Sequence, residues 1–191
     1  MVVLREDDAR VASRLADGWV MVARSWAAQL EAERGDLAAL RVAADAARAC
    51  GDLRELARGD VPAVLALDAA TVGDYPGGPA TAHAPLTAAR AAVSGVRRAW
   101  GVVGDGGRVL AMTYVDVDGD RAETDFTVVA RDARGRGLAT AVKAASLLGL
   151  LRDGVVVFRT GGSANNAAIL AASLACGYRV DERWVTLAPS V

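Results

Sequence analysis

Glu123-Thr-Asp-Phe-Thr-Val-Val-Ala-Arg-Asp-Ala-Arg134-Gly-Arg-Gly137-Leu-Ala-Thr140-Ala-Val-Lys143-Ala-Ala-Ser-Leu-Leu148 is the stretch in which the chain changes its hydrophobic period. Phe126, Val128 and Val129 are β-formers, and polar residues alternate in before them, so this part reads as a strand. Leu138, Ala141, Val142, Ala145 and Leu148 recur at three- and four-residue steps, which predicts a helix over 137–151. The turn between them is Arg134-Gly-Arg-Gly137. A glycine turn from a strand into a helix makes an anion site, because free N–H groups point out of the first helical turn and the dipole there favours negative charge. Gly135 and Gly137 lack the Cβ that would hold a phosphate away, and Arg134 and Arg136 add charge and fork-shaped donors. By themselves these residues also suit a plain strand-turn-helix connection with two surface arginines.

The wider context separates the two readings. Arg134 to Ala139 reads Arg-x-x-Gly-x-Ala. It resembles the acyl-CoA pyrophosphate loop, Arg/Gln-x-x-Gly-x-Gly/Ala, of the GCN5-related N-acetyltransferases, and it follows a strand and opens a helix as that family requires. Thr160 to Tyr178 resembles the family's second motif: a strand end, Asn166, an apolar helix, then Gly177-Tyr178. The resemblance covers roughly residues 51–189. It implies a mixed α/β (α+β) chain with the GNAT fold, a central, mostly antiparallel twisted sheet flanked by helices. It implies acetyl-CoA as cosubstrate, held at Arg134, Gly135, Arg136, Gly137, Leu138, Ala139 and Thr140. The pantetheine arm would pair with the strand edge at Thr127, Val128 and Val129. Asn166 would bond backbone or the pantetheine amide, and its residue type equally suits a helix start. A main-chain N–H at that edge would hold the thioester carbonyl as it becomes an oxyanion, a contribution of about 3 kcal/mol. The implied reaction is acetyl transfer to a primary amine by direct attack in a ternary complex.

That chemistry needs a neutral amine. A lysine-type amine near pKa 10.4 is neutral only about once in a few thousand molecules at pH 7, and a positioned base contributes about 10²–10⁴-fold. Glu123 and Asp125, two apart on a strand, are expected to point to one face. Glu123 sits at the offset from the phosphate loop where histone-type members of the family keep a catalytic glutamate, and Asp125 is the alternative base. Where the family often has a tyrosine as general acid, this chain has Ser173, so the usual acid is missing and the thiolate would take its proton elsewhere. His83, the single histidine, lies in a Pro/Ala loop and reads as a surface residue. Two other readings stay open: a non-catalytic acyl-CoA-binding or regulatory module on the same fold, and an interaction protein that uses its N-terminal extension.

Composition narrows the partners. The 191 residues fit one domain with an extension and can bury a full core. A net charge of −1 gives no basic field for nucleic acid. The cations are arginines except Lys143, and abundant Ala, Val and Gly fit a GC-rich genome; the resemblance implies an actinobacterial one. Cys50 and Cys176 have no metal-ligand spacing, which favours a reducing cytoplasm. No apolar run reaches membrane-spanning length, and the acidic start is not a signal peptide.

Residues 1–50 read as an N-terminal extension and 51–191 as the acetyltransferase domain. In the extension, residues 8–17 suit a short helix and Trp19 to Trp26 a strand. Laying Gly18 on Gly177 places Leu15 on Leu174, Val11 on Leu170, Trp19 on Tyr178 and Arg24 on Arg183. The segment thus looks like a second copy of the closing motif, and some actinobacterial relatives carry two such domains in tandem. It would dock within the chain or exchange its strand in a homodimer. A connecting helix is expected over 31–50. From 52 onward the expected order is βααβββαβαββ, with helices from Asp60 and over 86–94, a loop over 73–85, strands over 98–103, 108–117, 122–129 and 154–159, a helix over 164–175, and two strands near 178–188.

Overall fold

A computed structural model describes residues 1–75, 78 and 81–190. The strands are β1 (Val2–Arg5), β2 (Trp19–Glu31), β3 (Asp52–Glu55), β4 (Arg97–Val103), β5 (Val109–Asp118), β6 (Arg121–Val129), β7 (Val157–Ser163) and β8 (Arg179–Pro189). The helices are α1 (Ala9–Ala16), α2 (Leu37–Asp45), α3 (Val61–Thr71), α4 (Ala88–Ala91), α5 (Leu138–Arg152) and α6 (Ala167–Ala175). All eight strands form one sheet in the order β1-β8-β2-β7-β6-β5-β4-β3. Every neighbouring pair is antiparallel except β6 and β7.

The hydrophobic pattern explains the layers. α5 is apolar nearly all round, and it is buried by the sheet on one side and by α2 and α6 on others. Leu147 and Leu150 pack in one cluster with Leu40 of α2, Trp100 of β4 and Phe158 of β7. The helix lies so close to the sheet that a Cβ on Gly149 would come within 2.8 Å of the Trp100 ring. On α3, Val64, Leu67, Asp68 and Thr71 form the buried stripe.

Several elements differ from the sequence expectation. β1 was not expected. β2 runs on past Trp26 to Glu31 because Ser25–Glu31 pair with β7 while Trp19–Gln29 pair with β8, so two ladders override the helix preference of Ala27 and Ala28. The connecting helix shortens to α2, which Asp36 caps by accepting from Ala38 and Ala39 N–H. The helix over 86–94 is one turn, α4, after which Ala92 turns extended. The loop expected over 73–85 includes Pro76, Gly77, Pro79 and Ala80, which lie outside the described residues. The two closing strands are the single strand β8, and its inner neighbour in the sheet is β2 from the other end of the chain.

β2 and β8 are related by a local pseudo-two-fold axis. Under the overlay of Gly18 on Gly177, Ser25 falls on Trp184, and these two residues are themselves cross-strand partners. Val22 is the extra residue of a bulge in β2 and Asp181 the extra residue of a bulge in β8. Those two positions also coincide under the overlay. β1 flanks β8 as β7 flanks β2. α1 and α6 precede their strands alike: Asp8 and Asn166 cap them, and Gly18 and Gly177, at φ 83° and 91°, supply the left-handed turn into each strand.

Candidate functional site

The parallel pair β6–β7 is short. Its register holds at Arg121–Val157, Ala122–Phe158 and Glu123–Arg159, and then the two strands part. From there β7 follows β2, and β6 is left with β5 alone. A cavity of about 570 Å³ occupies the opening. Thr127, Val128 and Val129 of the freed edge line it, together with Arg134, Gly135, Gly137, Leu138, Ala139, Thr140 and Asn166. Gly137 is the N-cap of α5 at φ 74°, a conformation that glycine alone adopts without strain, and no side chain caps the helix. The N–H groups of the first turn therefore face the cavity end with their dipole uncompensated, a cradle suited to phosphate oxygens.

The arginines of the loop behave differently from one another. Asp74, at the end of the turn after α3, accepts from Arg131 Nη2 at 2.6 Å and from Arg134 Nη2 at 2.5 Å. Hydrogen bonds from Arg131 and then Arg134 hold its carboxyl well below the usual carboxylate range. Arg134 Nε also donates to the Val129 carbonyl at 3.2 Å. Arg136, expected among the cofactor ligands, is exposed and does not line the cavity. Of the two arginines of the turn, only Arg134 lines the cavity.

A second cavity of about 540 Å³ adjoins the first, and Tyr75, Thr127, Asn166 and Ile169 border both. Its walls include Glu123, Asp125, His83, Arg90, Phe126 and Trp184, and Val3, Ser25, Trp26 and Ala27 of the N-terminal segment. Glu123 and Asp125 do both reach it, although the simple alternation fails: the β5–β6 register slips between Val115–Thr124 and Tyr114–Phe126, leaving Asp125 as a bulged residue. Asp125 is taken by Arg97 at 2.7 Å and Arg90 at 3.2 Å. Glu123 has no ion-pair partner among the described residues.

Ser173 is not brought to the site. It is fully buried, its hydroxyl donates back to the Ile169 carbonyl at 2.9 Å, and neither cavity touches it. Asn166 caps α6 through Oδ1 to Ile169 N–H at 3.2 Å while bordering both cavities.

Two residues to which the sequence reading gave no catalytic role, Tyr75 and His83, stand here. Tyr75 borders both cavities, and its hydroxyl is buried without a hydrogen-bond partner among the described residues. Burial, then the nearby Asp68 and Asp125 charges, push it well above the usual phenol range. His83 is no surface residue: its side chain is 6% exposed, and its Nε2 lies 2.7 Å from Asp68 Oδ1. The ring stacks on Tyr75, centroids 4.3 Å apart, and leans on Phe126 at 4.7 Å. The readable signal for this cluster was Asp68, an acid on the buried stripe of α3 that required a partner. Among the described residues no group of three or more His, Cys, Asp and Glu could hold a metal ion, and no helix is long and apolar enough to cross a membrane.

No protein-family model and no curated protein matches the sequence. Solved structures do. A putative acetyltransferase from the GNAT family of Novosphingobium aromaticivorans is 22% identical with a TM-score of 0.56, over 91% of this chain and 69% of that one. A tandem GNAT protein from the clavulanic acid biosynthesis pathway is 23% identical with a TM-score of 0.65; the match covers all of this chain and 64% of the other. The ribosomal-protein-S18-alanine N-acetyltransferase of Escherichia coli is 17% identical with a TM-score of 0.55, over 72% of this chain and 92% of that one. The eight-stranded sheet with flanking helices, opened between β6 and β7 above the α5 N-terminus, has the fold of the GCN5-related N-acetyltransferases.

Proposed function

We propose that the chain binds acetyl-CoA and transfers its acetyl group to a primary amine. The observation that carries this reading is the meeting of the two cavities at Thr127 and Tyr75, one lined by the α5 cradle and the freed β6 edge, the other by acidic and aromatic side chains. The first-turn N–H groups of α5 and Arg134 would hold the pyrophosphate, with Arg134 exchanging Asp74 for a phosphate oxygen. The main-chain groups of Thr127–Val129 would hold the pantetheine arm and orient the thioester. Glu123, without an arginine partner among the described residues, would attract a cationic acceptor to the second cavity. The free thiols Cys50 and Cys176 support a reducing compartment such as the cytoplasm. We read residues 1–31 as a retained copy of a closing motif; the pseudo-two-fold pairing through Ser25 and Trp184 supports it.

Calorimetry with acetyl-CoA, followed by thiol release over a panel of amines, tests the reading. Binding with transfer is expected. Binding without transfer would leave an acyl-CoA-binding module, and no binding would leave an interaction protein.

A further inference from the structure

Asp68 is 2% exposed and has no arginine or lysine partner among the described residues. Its Oδ2 accepts from the Leu86 N–H at 2.8 Å, and its Oδ1 faces His83 Nε2 at 2.7 Å. An ionised carboxylate only accepts, so a neutral imidazole facing it carries its proton on Nε2. Nδ1 is then left with a lone pair, and it has no hydrogen-bond partner among the described residues. The ring stacks on Tyr75 and packs against Phe126, and it lines the same cavity as Thr127. A buried acid that sets the tautomer of an imidazole whose other nitrogen is free is the arrangement of a general base.

We propose that His83, oriented by Asp68, takes the proton of the acceptor amine. This rests on the acetyltransferase reading above. In the step, the amine nitrogen forms a bond to the thioester carbonyl carbon and loses one proton to His83 Nδ1, directly or through one water. The carbon–sulfur bond breaks, the thiolate leaves with its electron pair, and it takes a proton from solvent. Asp68 is the positioning residue: it stabilises the imidazolium without itself taking the proton. Asp125 cannot compete for the role because Arg97 and Arg90 hold its carboxylate. Glu123 is an exposed residue of the cavity wall, and there it attracts the amine instead of deprotonating it.

His83 is the chain's single histidine, so its ring nitrogens can be read by ¹⁵N NMR without assignment by mutation. The intact protein should show the Nε2–H tautomer, and Asp68→Asn should lose that lock. With acetyl-CoA and benzylamine, His83→Gln should slow thiol release about a hundredfold or more while acetyl-CoA affinity by calorimetry stays unchanged. His83→Gly should be partly restored by added imidazole. An Nδ1–H tautomer, a His83→Gln variant of normal rate, or a loss of rate confined to Glu123→Gln would overturn the proposal. Acetyl-CoA bound without thiol release by the intact protein would overturn it together with the transfer reading. Absence of acetyl-CoA binding would end the cofactor reading first, and the tautomer measured without ligand would still decide the geometry of the pair.

Discussion

Lys143 Nζ donates to Thr160 Oγ1 across 3.1 Å, and this hydroxyl is the only hydrogen-bond partner that the chain's single lysine has among the described residues. The side chain crosses from α5 toward β7 in the core, with the Tyr178 ring centroid 5.4 Å from the ammonium and no ion-pair partner among the described residues. Burial pulls its pKa down to about 8, against 10.5 for the free group. At neutral pH the folded chain therefore holds a charge that burial disfavours by about 3 kcal/mol. Between about pH 8 and 10.5 the folded state gives up that proton before the unfolded state does, so this group makes stability rise with pH. Cys176 opposes it from about pH 9 upward, since burial pushes its thiol to about 11. Lys143→Met should be more stable than the parent at pH 7, with the advantage shrinking toward pH 10. Denaturant melts of both proteins at pH 7, 8, 9 and 10 check this; a constant difference would show that burial does not lower the pKa of this lysine.

The proposed phosphate site is tested at Gly137. At φ 74° any side chain there is strained, so Gly137→Ala serves as the control for backbone cost. A Cβ at this position meets nothing within 4 Å, and Gly137→Glu adds a carboxylate at the mouth of the cavity. Gly137→Glu should abolish acetyl-CoA binding while Gly137→Ala only weakens it, and Arg134→Ala should weaken it about tenfold. Equal affinities in calorimetry across the parent, Gly137→Glu and Arg134→Ala would remove the pyrophosphate from this end of α5.

Tyr75 sets stability against activity. A buried hydroxyl without a partner costs about 1–3 kcal/mol, so Tyr75→Phe should melt at the same temperature or higher. Tyr75 lines both cavities, and its hydroxyl, without a partner among the described residues, would donate a hydrogen bond to the departing thiolate while the proton itself comes from solvent. Thiol release by Tyr75→Phe should fall about tenfold or more. A variant with a raised melting temperature and full turnover would make the hydroxyl a plain packing defect.

The parts of this molecule that were legible in the sequence are those in which local pattern and distant packing agree. β6, the glycine turn and α5 could be read because the period changes from two to three and four at Gly137. β1 could not, since four residues carry no period and its partner is Val185–Leu187 at the far end of the chain. Ala27 and Ala28 favour a helix and lie in a strand because two ladders claim them. At the candidate site, the loop glycines were readable from spacing as a strand-to-helix turn, and the resemblance carried by Arg134-x-x-Gly137-x-Ala139 gave that turn its expected ligand. The loss of Asp125 to Arg90 and Arg97 was not, because it depends on a bulge and on residues about thirty positions away. His83 was misplaced for a related reason: a single histidine in a Pro/Ala loop carries no pattern, and its partner Asp68 belongs to another element.

Residues 1–31 lie inside the fold. β2 is the strand between β7 and β8, so its removal would turn two paired strands into open edges. It would also take Leu4, Trp26, Ala28 and Leu30, all under 5% exposed, out of the core. A tryptophan carries about 150–250 Å² of surface, and Trp26→Ala alone should lower stability by about 3–5 kcal/mol. Four residues of the segment, Val3, Ser25, Trp26 and Ala27, also line the second cavity, so the loss reaches the candidate site as well as the core. Deletion of 1–31 should therefore give an aggregating chain, and co-expression of the missing segment as a separate peptide should rescue solubility, because the β2–β7 and β2–β8 ladders do not require a covalent link. In a dimer formed by strand exchange the same ladders would form between copies, and gel filtration of the full chain separates that case from docking within one chain. A soluble deletion variant with an unchanged melting temperature and an unaltered response to acetyl-CoA and amine would show that the sheet closes without β2, and that the symmetry through Ser25 and Trp184 has no structural role.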